Sequence, residues 1–114
     1  AWSAGRVTLL GDAAHPILPF LAQGGVMALE DATVAAAELA VSADDPAAAF
    51  QRYERVRRPR TVRVQGASRR NGQIYHLAGA TAIARNLMLS TAPGTTVVAG
   101  YDWLYGWRSG HGTA

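Results

Sequence analysis

One segment at the head of this chain reads as a strand, and nothing after it reads as a second. Arg6 to Leu10, closed by Gly11, is short, β-branched and leucine-rich, the pattern of a buried strand. The remainder of the chain is helical by composition. From Gln23 or Gly24 to about Val41 the residues are mostly Ala, Leu, Met and Glu, with Val26, Leu29, Thr33, Ala36 and Ala40 on one face. Asp45 then Pro46 is an acidic N-cap followed by proline at the first helical position, and opens a helix to about Gln65. Pro59 inside it predicts a kink near Arg55 to Arg58, and Gly66 an interruption. Ser68 to His76 and Ala80 to Ser90 read as two further helices, the last closed by Pro93 and Gly94. Unpaired ladder groups of a lone buried strand are costly. The strand is therefore expected to join a sheet outside this sequence or to pair with another chain.

The strand and first helix are joined by GDAAHPILPFLAQGG, Gly11 to Gly25. Pro16 and Pro19 stiffen the loop, which leaves little ordering for a ligand to impose. The first amides of a helix have no partner within it and lie at the positive end of its dipole. Gly24 and Gly25 let a ligand approach those amides closely. Asp12, at the strand's carboxyl end, can accept hydrogen bonds from hydroxyl groups. The set suits a sugar or polyol beside an electron-rich flat ring.

The stretch GDAAHPILPFLAQGGVMALEDA, Gly11 to Ala32, resembles the second flavin-binding motif of FAD-dependent aromatic hydroxylases. These are the group A flavoprotein monooxygenases, with the p-hydroxybenzoate hydroxylase fold. Pro19-Phe20-Leu21-Ala22-Gln23-Gly24 matches the Pro, aromatic, Leu, Ala, Gln, Gly order of the salicylate hydroxylase and 6-hydroxynicotinate monooxygenase branch. Tyr53 to Leu77 and Tyr101 to Trp107 also look like that branch. Leu21 stands where many relatives have Gly, and Val26 where many have Asn.

The resemblance implies an α/β FAD-binding parent fold, of which this chain is mostly α with one short strand. Residues 1–41 would be the last strand, loop and helix of the FAD-binding domain. Residues 42–108 would be carboxyl-terminal helices packed on it, and 109–114 a disordered tail. The Asp12 carboxylate would bind the ribityl hydroxyls of FAD, and the Gly25 and Val26 amides would face the pyrimidine carbonyl of the isoalloxazine. Gly11 and Gly24 fall in the same cofactor site, and Pro19 would border both flavin and substrate. No catalytic residue is assigned. Implied partners are FAD, NADH or NADPH, and a small aromatic acid hydroxylated with O2. The family's glycine-rich pyrophosphate turn is not in this sequence. The expectation is thus a carboxyl-terminal portion, inactive alone, completed by a missing amino-terminal half or a second copy.

A reading of another class is a non-catalytic helical module that self-associates through its strand and apolar faces. Sequence totals narrow the rest. There is no cysteine, hence no disulfide framework or thiolate metal site, and Asp12, His15, His76 and His111 match no standard metal spacing. The formal charge is only +3, and Arg52, Arg55, Arg57, Arg58, Arg60 and Arg63 spread around their helix, which argues against nucleic acid. No apolar run is long enough to span a membrane, and Ala1 to Arg6 has no signal-peptide hydrophobic region, so a cytoplasmic chain is expected. His15 reads as a hydrogen-bonded loop histidine. Of Glu30 and Asp31, adjacent and so about 100° apart on the helix, one reads as a salt-bridge partner of arginine, and Arg57 and Arg60 as arginines that pack their stems and pair with acids or carbonyls. Trp103, Tyr105 and Trp107 read as anchors of the tail.

Overall fold

The computed structural model describes residues 1–110. They form β1 (Ser3–Ala4), β2 (Val7–Thr8), α1 (Gly24–Val41), α2 (Pro46–Tyr75), α3 (Gly79–Thr91), α4 (Gly94–Ala99) and α5 (Asp102–Tyr105). Short 3-10 turns lie at Gly11–Ala13 and Pro19–Leu21. The described residues are thus mostly helical with one short sheet. Of the expected tail 109–114, Ser109 and Gly110 lie outside helix and strand, and residues 111–114 lie outside the described residues.

The strand finds its partner inside this chain, against expectation. β1 and β2 pair antiparallel, Ser3 with Thr8 and Ala4 with Val7. Gly5, at φ +55°, takes the first central position of the connecting turn, where a II′ hairpin needs glycine. Nor is the strand buried: Val7 is 67% exposed, and Leu9 and Leu10 are also exposed. The hairpin is tied to α2 by the Glu54 carboxylate, which accepts from the amides of Trp2 (2.9 Å) and Ser3 (3.0 Å). Burial pushes the Glu54 carboxyl up, but those two amides, with the amino-terminal charge and the Ser3 hydroxyl, together hold it below the usual range. The tie therefore holds at neutral pH and loosens as pH falls through that lowered value.

α1 keeps the expected bounds but turns an unexpected face inward. Val26, Leu29 and Ala36 lie on the surface, Leu29 at 71% exposure. The buried stripe is Met27, Glu30, Asp31, Val34, Ala35 and Glu38, which includes three acids. They are tolerated because α2 meets each with an arginine. Apolar contacts complete the seam. Leu21, Met27, Val64 and Leu104 form one cluster. Val34, Ala35 and Tyr53 form another, flanked by Trp2 and Trp107.

α2 runs unbroken for 30 residues, where a break at Gly66 and two separate helices were expected. Its buried residues Tyr53, Arg57, Thr61, Val64, Ser68 and Gly72 recur on one face across both breakers. Packing on both sides of Gly66 outweighs a local cost of about 1 kcal/mol. Pro59 is exposed, so the carbonyl it leaves without a donor faces water. Asp45 caps the helix as expected, its Oδ1 accepting from the Ala48 amide at 3.0 Å. α3 ends just before Pro93, as expected, but is not the last helix: Pro93 precedes α4.

A Cβ on Gly66 would meet nothing within 4 Å. Gly66→Ala is therefore expected to stabilise the fold by about 0.5–1 kcal/mol, read from the denaturant midpoint. A loss of stability would mean that another element lies against that face.

The chain is elongated. Its radius of gyration is 17.7 Å, against about 13 Å for a compact domain of this length. α3 buries no residue, and Ile83, Leu87 and Val98 are widely exposed. Among the described residues no helix is long and apolar enough to cross a membrane.

Candidate functional site

The junction between hairpin and α1 is held from beneath by Asp31. Its Oδ2 accepts from the Gly11 amide at 3.0 Å and also meets His15 Nε2. Its Oδ1 takes Arg57 Nε at 2.7 Å. Arg57 Nη1 reaches Glu30 at 2.8 Å, and Arg60 grips the same carboxylate with two nitrogens at 2.7 Å each. Arg60 also donates to the carbonyls of Trp103 and Leu104, both at 3.0 Å. Arg52 takes Glu38 at 2.7 Å. Burial, and then the charge of Asp31, push the Tyr53 phenol up, so it stays protonated and donates to the Leu9 carbonyl. The readings of His15, Arg57 and Arg60 are borne out, and both Glu30 and Asp31, where one was expected, pair with arginine: all are partners in one buried network.

That network places the loop. Gly11 is buried at φ +55°, and a Cβ there would stand 3.0 Å from that of Ala28, so a side chain would be both strained and crowded. Its carbonyl accepts from the amides of Ala14 and His15, both at 2.9 Å. With its backbone thus committed, Gly11 orients Asp12, which is exposed. The Asp12 carboxylate points to the opening of α1: a Cβ on Gly24 would lie 3.6 Å from Oδ1.

The first amide of α1 to find a helical partner is that of Met27, which donates to the Gln23 carbonyl at 2.8 Å. The amides of Gly24, Gly25 and Val26 donate to no described residue, and Gln23 offers no side-chain cap. Gly25 is exposed with open space where a side chain would be. Three free donors at a helix start, with an exposed carboxylate across from them, can hold a ligand that carries hydroxyls and a partly negative carbonyl.

The other wall is the Pro19–Leu21 turn. Leu21 is buried in the core, and Ala22 comes next at φ +51°, a left-handed conformation costing about 1 kcal/mol in a non-glycine residue. Pro19 is exposed. The turn also walls a groove of about 540 Å³ with Tyr75, Met88, Tyr101 and Arg85. The Arg85 guanidinium is already bound to the carbonyls of Ile74 and Tyr75 and to Asn86.

The structure thus brings Gly11, Asp12, Gly24, Gly25 and Val26 together, with Pro19 on the adjoining turn. Asp12, His15 and His76 do not converge: among the described residues no three His, Asp or Glu side chains gather as a metal site, and His111 lies outside them. Trp103 and Trp107 serve as anchors, stacked over by Arg63 at 3.9 Å and by Arg57 at 5.2 Å respectively; Tyr105 is exposed. Sequence reasoning missed Gln65, Ser68 and Gly72, which seat the loop on α2. Their only signal is an i, i+3, i+7 spacing of small or neutral residues in an arginine-rich helix.

The FAD binding domain family matches residues 1–68. Among curated relatives, a 3-hydroxybenzoate 6-hydroxylase of Klebsiella oxytoca is 45% identical over 107 residues, 94% of this chain and 27% of that protein. A 3-amino-4-hydroxybenzoate 2-monooxygenase of Streptomyces cremeus is 40% identical over 110 residues, 96% of this chain and 27% of its own length. A 6-hydroxynicotinate 3-monooxygenase of Bordetella bronchiseptica is 48% identical over 71 residues, 61% of this chain and 18% of its own. The chain thus spans about a quarter of the length of the first two relatives. The chain belongs to the FAD binding domain family, and its cofactor is FAD.

Proposed function

We propose that this chain is the carboxyl-terminal FAD-binding portion of a flavin-dependent monooxygenase that hydroxylates a small aromatic acid with NADH or NADPH and O2, and that it is inactive alone. The observation that carries the reading is the exposed Asp12 carboxylate facing three unpartnered amides at the start of α1. Asp12 would accept from the ribityl hydroxyls, and Gly25 and Val26 would donate to the pyrimidine carbonyl. Gly24 leaves room between them, and Gly11 sets the direction of Asp12. Bound FAD supplies hydride acceptance from the nicotinamide and activation of O2. The chain's own contribution is to bind and orient. Fixed amides at the positive helix end favour negative charge on the ring they face, at no reorganisation cost. The Pro19 turn would border both that ring and the aromatic substrate. The substrate carboxylate would be met elsewhere, since Arg85 in the adjoining groove is already engaged.

Residues 1–41 would close the FAD-binding domain, with 42–108 packed upon it, in a cytoplasmic enzyme. The outward stripe of Val26, Leu29 and Ala36 would be covered by an amino-terminal portion bearing the rest of the sheet. The test is to purify the protein as its gene encodes it, record flavin absorbance, and assay NADH or NADPH oxidation with hydroxybenzoates. A flavin-bound protein whose oxidation rate rises with an aromatic acid is expected. A flavin-free protein that light scattering shows to be an oligomer would favour the self-associating helical module instead.

A further inference from the structure

α2 grips the loop along a single stripe. Gln65, Ser68 and Gly72 stand three and then four residues apart, on one helix face. Gln65 Nε2 donates to the Pro16 carbonyl at 3.0 Å, and the buried Ser68 hydroxyl donates to the Leu18 carbonyl at 2.6 Å. At Gly72 the ring of Phe20 occupies the place of a side chain. A Cβ there would lie 2.6 Å from Phe20 Cε2 and 2.8 Å from Cδ2, closer than such atoms approach. Tyr75 and His76 close around the same ring at 6.0 and 5.8 Å, His76 edge-on. The His76 ring is itself held, Nδ1 donating to the Gly72 carbonyl at 2.6 Å.

Glycine within a helix is a cost unless something needs the space. Gly66 has open space around it, whereas Gly72 is buried under an aromatic ring. Phe20 sits in the Pro19–Leu21 turn, and only Ala22 and Gln23 separate that turn from the free amides of α1. We propose that Gly72 is a positioning residue for the cofactor-side loop: by leaving room for Phe20 on α2, it fixes where the Pro19 turn and the opening of α1 are presented. Its last step, toward the flavin, rests on the proposed function; the seating of Phe20 does not.

The test uses the protein as its gene encodes it, labelled with 4-fluorophenylalanine, with Phe20→Ala assigning the Phe20 resonance by its loss. Gly72→Ala is expected to move that resonance and Gly66→Ala to leave it in place. Gly72→Ala is also expected to weaken FAD binding by about tenfold through lost preorganisation and to shift the visible flavin band. In a Phe20→Ala background the same change is expected to have no further effect on FAD and to raise Tm, as alanine for glycine in a free helix does. An unmoved Phe20 resonance, or an equal loss of FAD affinity with and without Phe20, overturns the proposal. Should Gly72→Ala alone not fold, the Phe20→Ala/Gly72→Ala protein decides: a folded double variant supports the seat, an unfolded one overturns it. A wild-type protein that takes up no FAD refutes the flavin reading, while the fluorine shift still judges the seat.

Discussion

Arg57→Ala is expected to destabilise the fold by about 3–5 kcal/mol, the cost of leaving a buried charge without its partner. Arg57 is 1% exposed and joins two acids of α1, Glu30 and Asp31. Glu30 keeps Arg60 after the change, so most of the loss falls on Asp31, which is fully buried and loses its arginine while keeping His15 and the Gly11 amide. The Trp107 ring also loses one of the two guanidinium groups stacked on it, that of Arg60 remaining. Arg58→Ala is the matched control. Its partner Glu54 lies 3.6 Å away one turn along, and Arg58 is exposed, so a change within about 0.5 kcal/mol is expected. Denaturant unfolding of both variants decides the matter, and equal losses would show that the buried network is not what holds α1 to α2. Because Asp31 also holds the Gly11 amide, Arg57→Ala is expected to loosen the Asp12 loop as well.

What was legible in the sequence is what local chemistry decides. The Asp45 cap and the bounds of α1 arise from residues within a turn of each other. The placement of Asp12 across from Gly24 was legible because the proposed site at a helix start calls for a carboxylate and glycines at fixed offsets. The inward face of α1 was not. Pairing with arginine was legible for one of Glu30 and Asp31, but not that both, with Glu38, turn inward to meet Arg60, Arg57 and Arg52, across 30, 26 and 14 residues. The unbroken course of α2 was hidden for the same reason. Pro59 and Gly66 are local breakers, and the packing of Val64, Ser68 and Gly72 that overrides them is tertiary. The hairpin escaped because two-residue strands carry no periodicity, although Gly5 marks its turn. Gly72 was illegible because its occupant, Phe20, comes from a distant loop.

Asp12→Ala tests the proposed cofactor site where fold and function separate. Asp12 is exposed and makes no hydrogen bond to a described residue, so its removal is expected to change stability by no more than about 0.5 kcal/mol. A carboxylate that accepts from ligand hydroxyls contributes about 1.5–3 kcal/mol, so FAD affinity is expected to fall about tenfold to a hundredfold. Asp12→Asn keeps an acceptor oxygen but loses the charge, and is expected to fall between wild type and alanine. Asp44, an exposed acid in the turn between α1 and α2, serves as the control, and Asp44→Ala is expected to bind as wild type. Titration of the flavin-stripped proteins with FAD, monitored by flavin fluorescence, measures all four. If Asp12→Ala bound FAD as tightly as wild type while Arg57→Ala weakened it, the cofactor would depend on the loop's position but not on this carboxylate, and Asp12 would lose its assigned role.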